Sequence, residues 1–217
     1  VDALETGIAL TTGEFVARMD HDDVALPWRL ERQVAHMRDR QYLGLVGGAI
    51  ELIDGVGRLL RRIEYPTDPV ALHELVLSRV CFASPTTMVT RDALEEVGGF
   101  RRLFEPAEDV DLCIRVSDRF AVSNLEEPLV RYRIHGDNIS VRSLRRQMEG
   151  VLVAQAAAMR RRAGRDDPTA TAETLAAARA TLGIDEEQVD ALTFESILLW
   201  IELLAVPGPE WRRHELA

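Results

Sequence analysis

Apolar and polar residues alternate along residues 14–19, and this period of two predicts a short β-strand. The strand leads directly into three acids, Asp20, Asp22 and Asp23. Because side chains two apart on an extended backbone share a face, Asp20 and Asp22 are predicted to point the same way. Pro27 fits the first turn of a helix, so the pattern predicts a strand, an acidic loop and a helix in succession.

Periods of two and of 3.6 residues divide the rest of the chain into strands and helices. Helices are predicted over residues 2–10, 27–40, 69–79, 91–97 and from 108 onward, and strands over 43–53, 58–65, 121–125 and 128–134. In the second helix, Leu30 and Met37 belong to an apolar stripe and Arg29 is placed on the solvent side. Alternating strands and helices predict an α/β layered fold for residues 1–142, whereas residues 143–217 carry helical spacing alone and predict an α-helical C-terminal region.

The acidic loop has two interpretations. Strand ends in open α/β sheets are where ligands bind, and two hard oxygen ligands held close together suit Mg²⁺ or Mn²⁺, which would then bind a diphosphate. Alternatively, the loop is an ordinary polar turn in which Asp22 or Asp23 caps the helix predicted over residues 27–40. The local pattern does not choose between them.

The composition excludes several classes of function. With 47% hydrophobic and 29% charged residues, the 217-residue chain is typical of a soluble globular protein. Its formal net charge of −10 argues against nucleic-acid binding, which needs concentrated Lys and Arg. Cys81 and Cys113 lie in apolar contexts and are interpreted as core thiols, which favours a reducing, cytoplasmic location. The basic triplet of residues 160–162 is interpreted as a solvated helix end, with an anionic lipid surface as the alternative partner.

The first residues of the chain have no basic start followed by an apolar core, so no signal peptide is predicted. The most apolar run, residues 197–206, is interrupted by Glu202 and is too short to span a bilayer. Because the chain begins with Val1 in what resembles the middle of a helix, we expect further sequence ahead of it.

Several motifs occur in an order and at a spacing that resembles family 2 glycosyltransferases. They are residues 13–23, then Pro27 with Arg29, Leu30 and Gln33, the pair Gly47 and Gly48, residues 84–88, 97–100, 107–112 and 124–125, and residues 132–135 with Ser140. The resemblance covers roughly residues 3–140, and a series of ordered motifs is far more specific than one acidic triplet. It implies the GT-A fold, a Rossmann-like α/β sandwich that binds a nucleotide-diphosphate sugar. It also implies transfer of the sugar to an acceptor hydroxyl, usually with inversion at the anomeric carbon.

Matched position by position, the resemblance implies roles for five side chains. Asp20 and Asp22 occupy the family's DxD motif, whose acids contact the donor ribose or bind Mn²⁺ or Mg²⁺ between the two phosphates. Asp23 lies beside them, and His135 is implied near the diphosphate, although a strand-end histidine bonded to the backbone fits equally well. Asp109 matches the catalytic base that takes the acceptor proton, whereas stabilisation of a helix N-terminus would also explain an acid there.

The resemblance fails ahead of the DxD motif. The family's first βαβ unit, which holds the base and ribose, precedes that motif, yet here the motif starts at residue 20, so the fold is expected to be N-terminally truncated. One hypothesis is a metal-dependent sugar transferase with a nucleotide-diphosphate sugar donor and a carbohydrate, lipid or protein acceptor. The other is a non-catalytic remnant that acts as an interaction protein, and a nucleotidyltransferase of related fold ranks last. Association with a membrane surface and self-association stay open.

Overall fold

The computed structural model describes residues 1–135 and 142–205, so Ser140 and the end of the predicted C-terminal region lie outside the described residues. The helices are α1 (Asp2–Leu10), α2 (Arg29–Arg38), α3 (Pro69–Leu75), α4 (Arg91–Val97), α5 (Glu108–Ser117), α6 (Leu144–Arg162), α7 (Leu175–Leu182) and α8 (Glu186–Ala205). The strands are β1 (Phe15–Ala17), β2 (Val24–Ala25), β3 (Leu43–Ile53), β4 (Leu59–Ile63), β5 (Met88–Thr90) and β6 (Ala121–Arg133). The predicted α/β class is confirmed.

The sheet is built around β3. The strand order is β1-β5-β3-β6-β2, and β4 pairs with β3 as a hairpin. β3 and β6 are parallel, whereas the other pairings are antiparallel. Every residue of β3 except Glu51 is buried, as expected for a central strand that is covered on both faces. Because β3 and β6 are parallel, their C-terminal ends meet at the same edge of the sheet.

One strand, β6, replaces the two strands that the sequence predicted. Its register with β3 shifts between Gly48 and Ala49, and this shift accommodates Glu126 and Glu127 as an exposed bulge. The two acids and Pro128 interrupt the apolar pattern without interrupting the pairing, because a bulge tolerates both solvent-facing charge and proline. The prediction of a break at this point was wrong.

Gly47 lies where β3 passes close to two neighbouring segments. A Cβ atom there would collide with Asn124 Oδ1 and would come within 2.9 Å of Phe82 Cδ1. We therefore expect Gly47→Ala to lower the free energy of unfolding by about 1–3 kcal/mol, the usual cost of overpacking. Urea denaturation measures this, with Gly55→Ala as control because a Cβ at Gly55 meets nothing within 4 Å. Equal midpoints for the two variants would contradict the prediction.

The face that α2 turns towards the core contains two polar residues, Arg29 and Gln33, beside Met37 of the predicted apolar stripe. Arg29 and Gln33 are 2% and 0% exposed, whereas Leu30 is 57% exposed. Gln33 donates from Nε2 to the carbonyl oxygens of Val46 at 3.2 Å and Thr86 at 2.8 Å. The prediction was right for Met37, which is 2% exposed, and wrong for Leu30 and Arg29. Helical periodicity treats apolar residues as buried and contains no information on hydrogen-bond partners in distant segments.

The first C-terminal helix packs against α5. Met148, Val151 and Ala154 of α6 are buried in the same hydrophobic cluster as the apolar residues of α5. A Cβ on Gly150 would lie 2.8 Å from the Cβ of Ala107, so the glycine lets α6 approach the start of α5 closely. The helical character of this region agrees with the sequence, and the domain boundary between residues 142 and 143 stays a prediction.

The basic triplet at the end of α6 binds acids of its own chain. Arg161 Nη2 and Arg162 Nε lie 2.8 and 2.7 Å from the carboxylate of Asp118, just beyond α5, and Arg161 also binds Asp167 at 2.8 Å. The interpretation as a solvated helix end was therefore wrong, because Arg161 and Arg162 bind the end of α6 to the end of α5 through Asp118. Within the described part of the chain, no helix has both the length and the apolar character needed to cross a bilayer.

Candidate active site

The acidic loop lies at the sheet edge where β3 and β6 end. β2 follows the loop directly and pairs with β6 near its C-terminal end, and Arg133 donates from Nε to the backbone oxygen of Asp22 at 2.9 Å. The backbone nitrogen of Asp23 donates to the backbone oxygen of Asp20 at 3.4 Å, so the acids occupy a turn. The sequence had predicted an extended segment with Asp20 and Asp22 on one face. In the turn, the two side chains bind different partners.

Asp22 contacts His135, which lies 113 residues away in the sequence and just beyond β6. His135 Nε2 is 2.7 Å from Asp22 Oδ2. Burial acts to raise the pKa of Asp22, but the hydrogen bond to His135 and the nearby histidines outweigh it and hold the pKa below its usual value. The capping interpretation of the loop was wrong, because Trp28 precedes α2 and no side chain caps that helix.

Asp23 anchors the loop with one oxygen. Its Oδ1 accepts a hydrogen bond from the backbone nitrogen of Arg133 at 2.8 Å, whereas Oδ2 is buried and has no hydrogen-bond partner among the described residues. Burial, reinforced by the charges of Asp20 and Asp22, raises the pKa of Asp23 to about 6 against the effect of that hydrogen bond. A buried oxygen without a partner costs free energy, so a cation or a donor group bound here would stabilise the loop.

A buried cation, which the sequence prediction missed, lies beside the residues that lead into the loop. Arg29 donates to the backbone oxygen of Arg18 at 2.6 Å, to Met19 Sδ at 3.0 Å and to Gln33 Oε1 at 3.1 Å. Burial lowers the pKa of Arg29 to about 10, against the effect of the acidic loop, so the guanidinium is charged at neutral pH. The available signal was a polar pair four residues apart, Arg29 and Gln33, within an otherwise apolar helix face. Arg29 fixes the backbone just ahead of Asp20.

The second acidic cluster begins α5, and Arg18 connects it to the acidic loop. Arg18 Nε is 3.3 Å from Asp20 Oδ1, and Arg18 Nη1 is 3.3 Å from Glu108 Oε1, 90 residues further along the chain. Burial acts to lower the pKa of Arg18, but the charges of Asp109, Asp20 and Glu108 raise it above its usual value. The two acidic clusters therefore meet at one guanidinium.

Asp109 borders a recess between α5 and the segment of residues 76–84. The wall is largely apolar and includes Phe82 and the two cysteines, while Ser84 contributes a buried hydroxyl without a hydrogen-bond partner among the described residues. Cys81 and Cys113 are free and buried, which confirms them as core thiols. Burial raises the pKa of Cys81 to about 11 and raises that of Cys113 as well.

The carboxylates of the loop fit a shared metal site. Across residues 1–135 and 142–205, no group of three or more His, Cys, Asp or Glu side chains is arranged to hold a metal ion alone. Mg²⁺ sites of phosphate chemistry commonly use one or two carboxylates and complete the coordination with phosphate oxygens and water. Asp20, Asp22 and the unpartnered Oδ2 of Asp23 supply hard oxygen ligands of that kind. These residues fit a cation that shares its coordination with a diphosphate.

Comparison with known proteins finds similarity to glycosyltransferases. Residues 1–98, which contain the acidic loop and Arg29, match the sequence model described as "Glycosyl transferase family 2". It is 35% identical over 136 residues to the O-antigen biosynthesis glycosyltransferase WbnJ of Escherichia coli, which covers 61% of this chain and 52% of WbnJ. It is 29% identical over 142 residues to the amylovoran biosynthesis glycosyltransferase AmsE of Erwinia amylovora, covering 64% and 52% of the two chains.

The fold of the chain also resembles that of a solved mannosyltransferase. The mannosyltransferase PcManGT from Pyrobaculum calidifontis, in complex with GDP-Man and Mn²⁺, matches with a TM-score of 0.50 and 18% sequence identity. The match covers 94% of this chain and 63% of PcManGT, which supports the predicted GT-A architecture. The chain spans about half the length of the curated relatives it matches.

Proposed function

We propose that this chain carries a glycosyltransferase site that moves a sugar from a nucleotide-diphosphate donor to an acceptor hydroxyl. The observation that carries the proposal is the guanidinium of Arg18, which contacts Asp20 and Glu108 and so brings the acidic loop and the start of α5 to one place. The names of WbnJ and AmsE support the same reaction class. We assign the chemistry to residues 1–142, with the helices beyond as an appendage that supports α5. The two free thiols favour a cytoplasmic location.

On the donor side, Asp20 and Asp22 would bind Mn²⁺ or Mg²⁺ together with the diphosphate. When bound, the cation supplies positive charge that stabilises the departing nucleoside diphosphate. Contacts within the chain hold the carboxylates of the acidic loop in position. His135 orients the carboxylate of Asp22, and the backbone of Arg133 holds Asp23 against the end of β6.

On the acceptor side, Asp109 would accept the proton of the acceptor hydroxyl as the oxygen attacks the anomeric carbon. Attack from the face opposite the leaving diphosphate inverts the configuration at that carbon. Glu108 is paired with Arg18, which leaves Asp109 as the acid of this cluster for the proton transfer.

Donor binding tests the proposal directly. Calorimetric titration with GDP-, UDP- and dTDP-sugars, with and without Mn²⁺, is expected to give binding that requires the cation. GDP-mannose is included because PcManGT was solved with GDP-Man and Mn²⁺. Asp22→Ala is expected to weaken Mn²⁺-dependent binding by about 10–100-fold, because it removes one hard ligand and the partner of His135.

The control for that titration is Asp39→Ala, which removes an exposed carboxylate outside the loop. It is expected to leave the affinity for donor and Mn²⁺ unchanged. Equal affinity in the two variants would remove Asp22 from the cation site. Failure of every donor to bind the unmutated chain would contradict the transferase and favour the non-catalytic remnant.

A further inference from the structure

The guanidinium of Arg18 contacts both acidic clusters. Its side chain is 18% exposed and lies between Asp20, which is 34% exposed, and Glu108, which is 10% exposed. The charge of Asp109 also acts on it. One positive charge therefore faces three carboxylates, and it cannot neutralise all of them at once.

Arg18 does not stabilise the three carboxylates equally. A buried carboxylate whose partner is removed keeps a large desolvation cost, whereas water compensates an exposed one. Glu108 is the more buried of the two contacted acids and therefore depends more on Arg18 than Asp20 does. Burial and the neighbouring charge of Asp109 also raise the pKa of Glu108, which reflects an environment that penalises its negative charge.

The backbone of Arg18 is fixed, so only its side chain can redistribute between the acids. Its backbone nitrogen donates to the carbonyl oxygen of Thr87 at 3.0 Å, and its carbonyl oxygen accepts from Arg29 at 2.6 Å. These two bonds hold the end of β1 on both sides. When Arg18 changes partner, only its side-chain contacts with Asp20 and Glu108 change, and the position of β1 does not.

We propose that Arg18 is a positioning residue that couples cation binding at the acidic loop to the base-bearing start of α5. A divalent cation and Arg18 compete for Asp20, and when the cation binds, the guanidinium is left to Glu108 and Asp109. Because coupling between two sites is reciprocal, the hold of Glu108 on Arg18 must in turn favour the cation at Asp20. This inference rests on the proposed function, since it assigns the cation to the loop.

A double-mutant cycle on Mn²⁺ affinity tests the coupling without any measurement of turnover. Mn²⁺ is titrated calorimetrically into the full chain with GDP present, for the unmutated chain, Arg18→Met, Glu108→Gln and the double variant. Arg18→Met is expected to tighten Mn²⁺ binding because the competing cation is gone. Glu108→Gln is expected to weaken Mn²⁺ binding because Arg18 then pairs with Asp20. The loss of Mn²⁺ affinity caused by Glu108→Gln should be at least about threefold smaller when Arg18 is already methionine.

The matched control is the exposed ion pair of Arg38 and Glu14, whose side chains are 3.3 Å apart. Its cycle, Arg38→Met with Glu14→Gln, is expected to be additive in Mn²⁺ affinity. If Arg18→Met does not fold, as judged by its thermal midpoint without Mn²⁺, Arg18→Gln replaces it in the cycle.

The outcomes separate this inference from the proposed function. If the unmutated chain binds Mn²⁺ with GDP but the Arg18 and Glu108 effects simply add, the coupling is overturned and the transferase proposal stands. If the unmutated chain binds neither Mn²⁺ nor GDP, the coupling and the transferase proposal are both overturned. Non-additivity confined to the Arg18 cycle supports the coupling.

Discussion

Asp109→Asn is expected to abolish sugar transfer while leaving the fold intact. A positioned general base contributes about 10²–10⁴-fold to a rate, and asparagine has the same shape but cannot take a proton. Asp109 Oδ1 accepts a hydrogen bond from the backbone nitrogen of Val110 at 2.9 Å, and the amide oxygen of asparagine can accept the same bond. The structural loss is therefore the interaction with the helix dipole, about 0.3–1 kcal/mol, and the attraction to Arg18, which is offset in part because the repulsion between Asp109 and Glu108 is lost as well.

Asp92→Asn is the matched control for this prediction. Asp92 is an exposed acid in the first turn of the neighbouring helix α4, so its neutralisation costs a similar helix-dipole term far from any proposed chemistry. Turnover with donor and Mn²⁺, together with the thermal midpoint, is measured for both variants. Both should unfold near the unmutated midpoint, and only Asp109→Asn should lose activity. Unchanged turnover in that variant would exclude Asp109 as the base.

The sequence predicted elements correctly where both of their ends carry a local signal. The bounds of β3 agree with the predicted strand of residues 43–53. α4 ends as predicted at Gly98, whose φ of 77° is the left-handed conformation that favours glycine at a helix end. Asp68 accepts a hydrogen bond from the backbone nitrogen of Ala71 at 2.9 Å and caps α3, which begins at the predicted residue 69 but ends at Leu75 instead of the predicted residue 79. In each case the physical cause lies within a few residues of the boundary.

Predictions failed where the decisive partner is distant in the sequence. Arg29 and Gln33 are buried because the backbone oxygens of other segments accept their hydrogen bonds, and no pattern within α2 contains those oxygens. Arg161 and Arg162 were interpreted as solvent-facing because Asp118, their partner, precedes them by more than forty residues. Periodicity reports on average environment, so it misplaces polar side chains that have a specific partner.

The features of the candidate site also divide into those that the sequence predicted and those that it missed. The approach of the acidic loop to the start of α5 agrees with the roles that the family resemblance implies for Asp20, Asp22 and Asp109, because that resemblance carries three-dimensional information that spacing lacks. The means of approach was not anticipated, since Arg18 was one polar residue in an alternating strand. The role of Asp111 was also missed, because three acids in four residues have no local feature that separates the chemical one from the structural one.

Asp111→Ala is expected to destabilise the fold by about 3–5 kcal/mol, the cost of removing one partner from a buried ion pair. Asp111 is 1% exposed and binds both Arg101 and Arg115, with Arg115 Nη2 at 2.7 Å. Arg115 also donates to the carbonyl oxygens of Val97 at 2.6 Å and Gly99 at 2.8 Å, so the network fixes the end of α4 against α5. For a chain of this size the expected fall in thermal midpoint is roughly 6–20 °C.

Asp109→Asn, two positions earlier on the same helix, is the control for this effect and should unfold near the unmutated midpoint. In Asp111→Ala with Arg115→Met, the loss should be smaller than the sum of the single losses, because one uncompensated charge is removed with its partner. An unchanged midpoint in Asp111→Ala would mean that water compensates both guanidiniums. The expected pattern assigns opposite roles to two acids half a turn apart: Asp111 is needed to hold α5 in place, and Asp109 is needed for what α5 presents to the substrate.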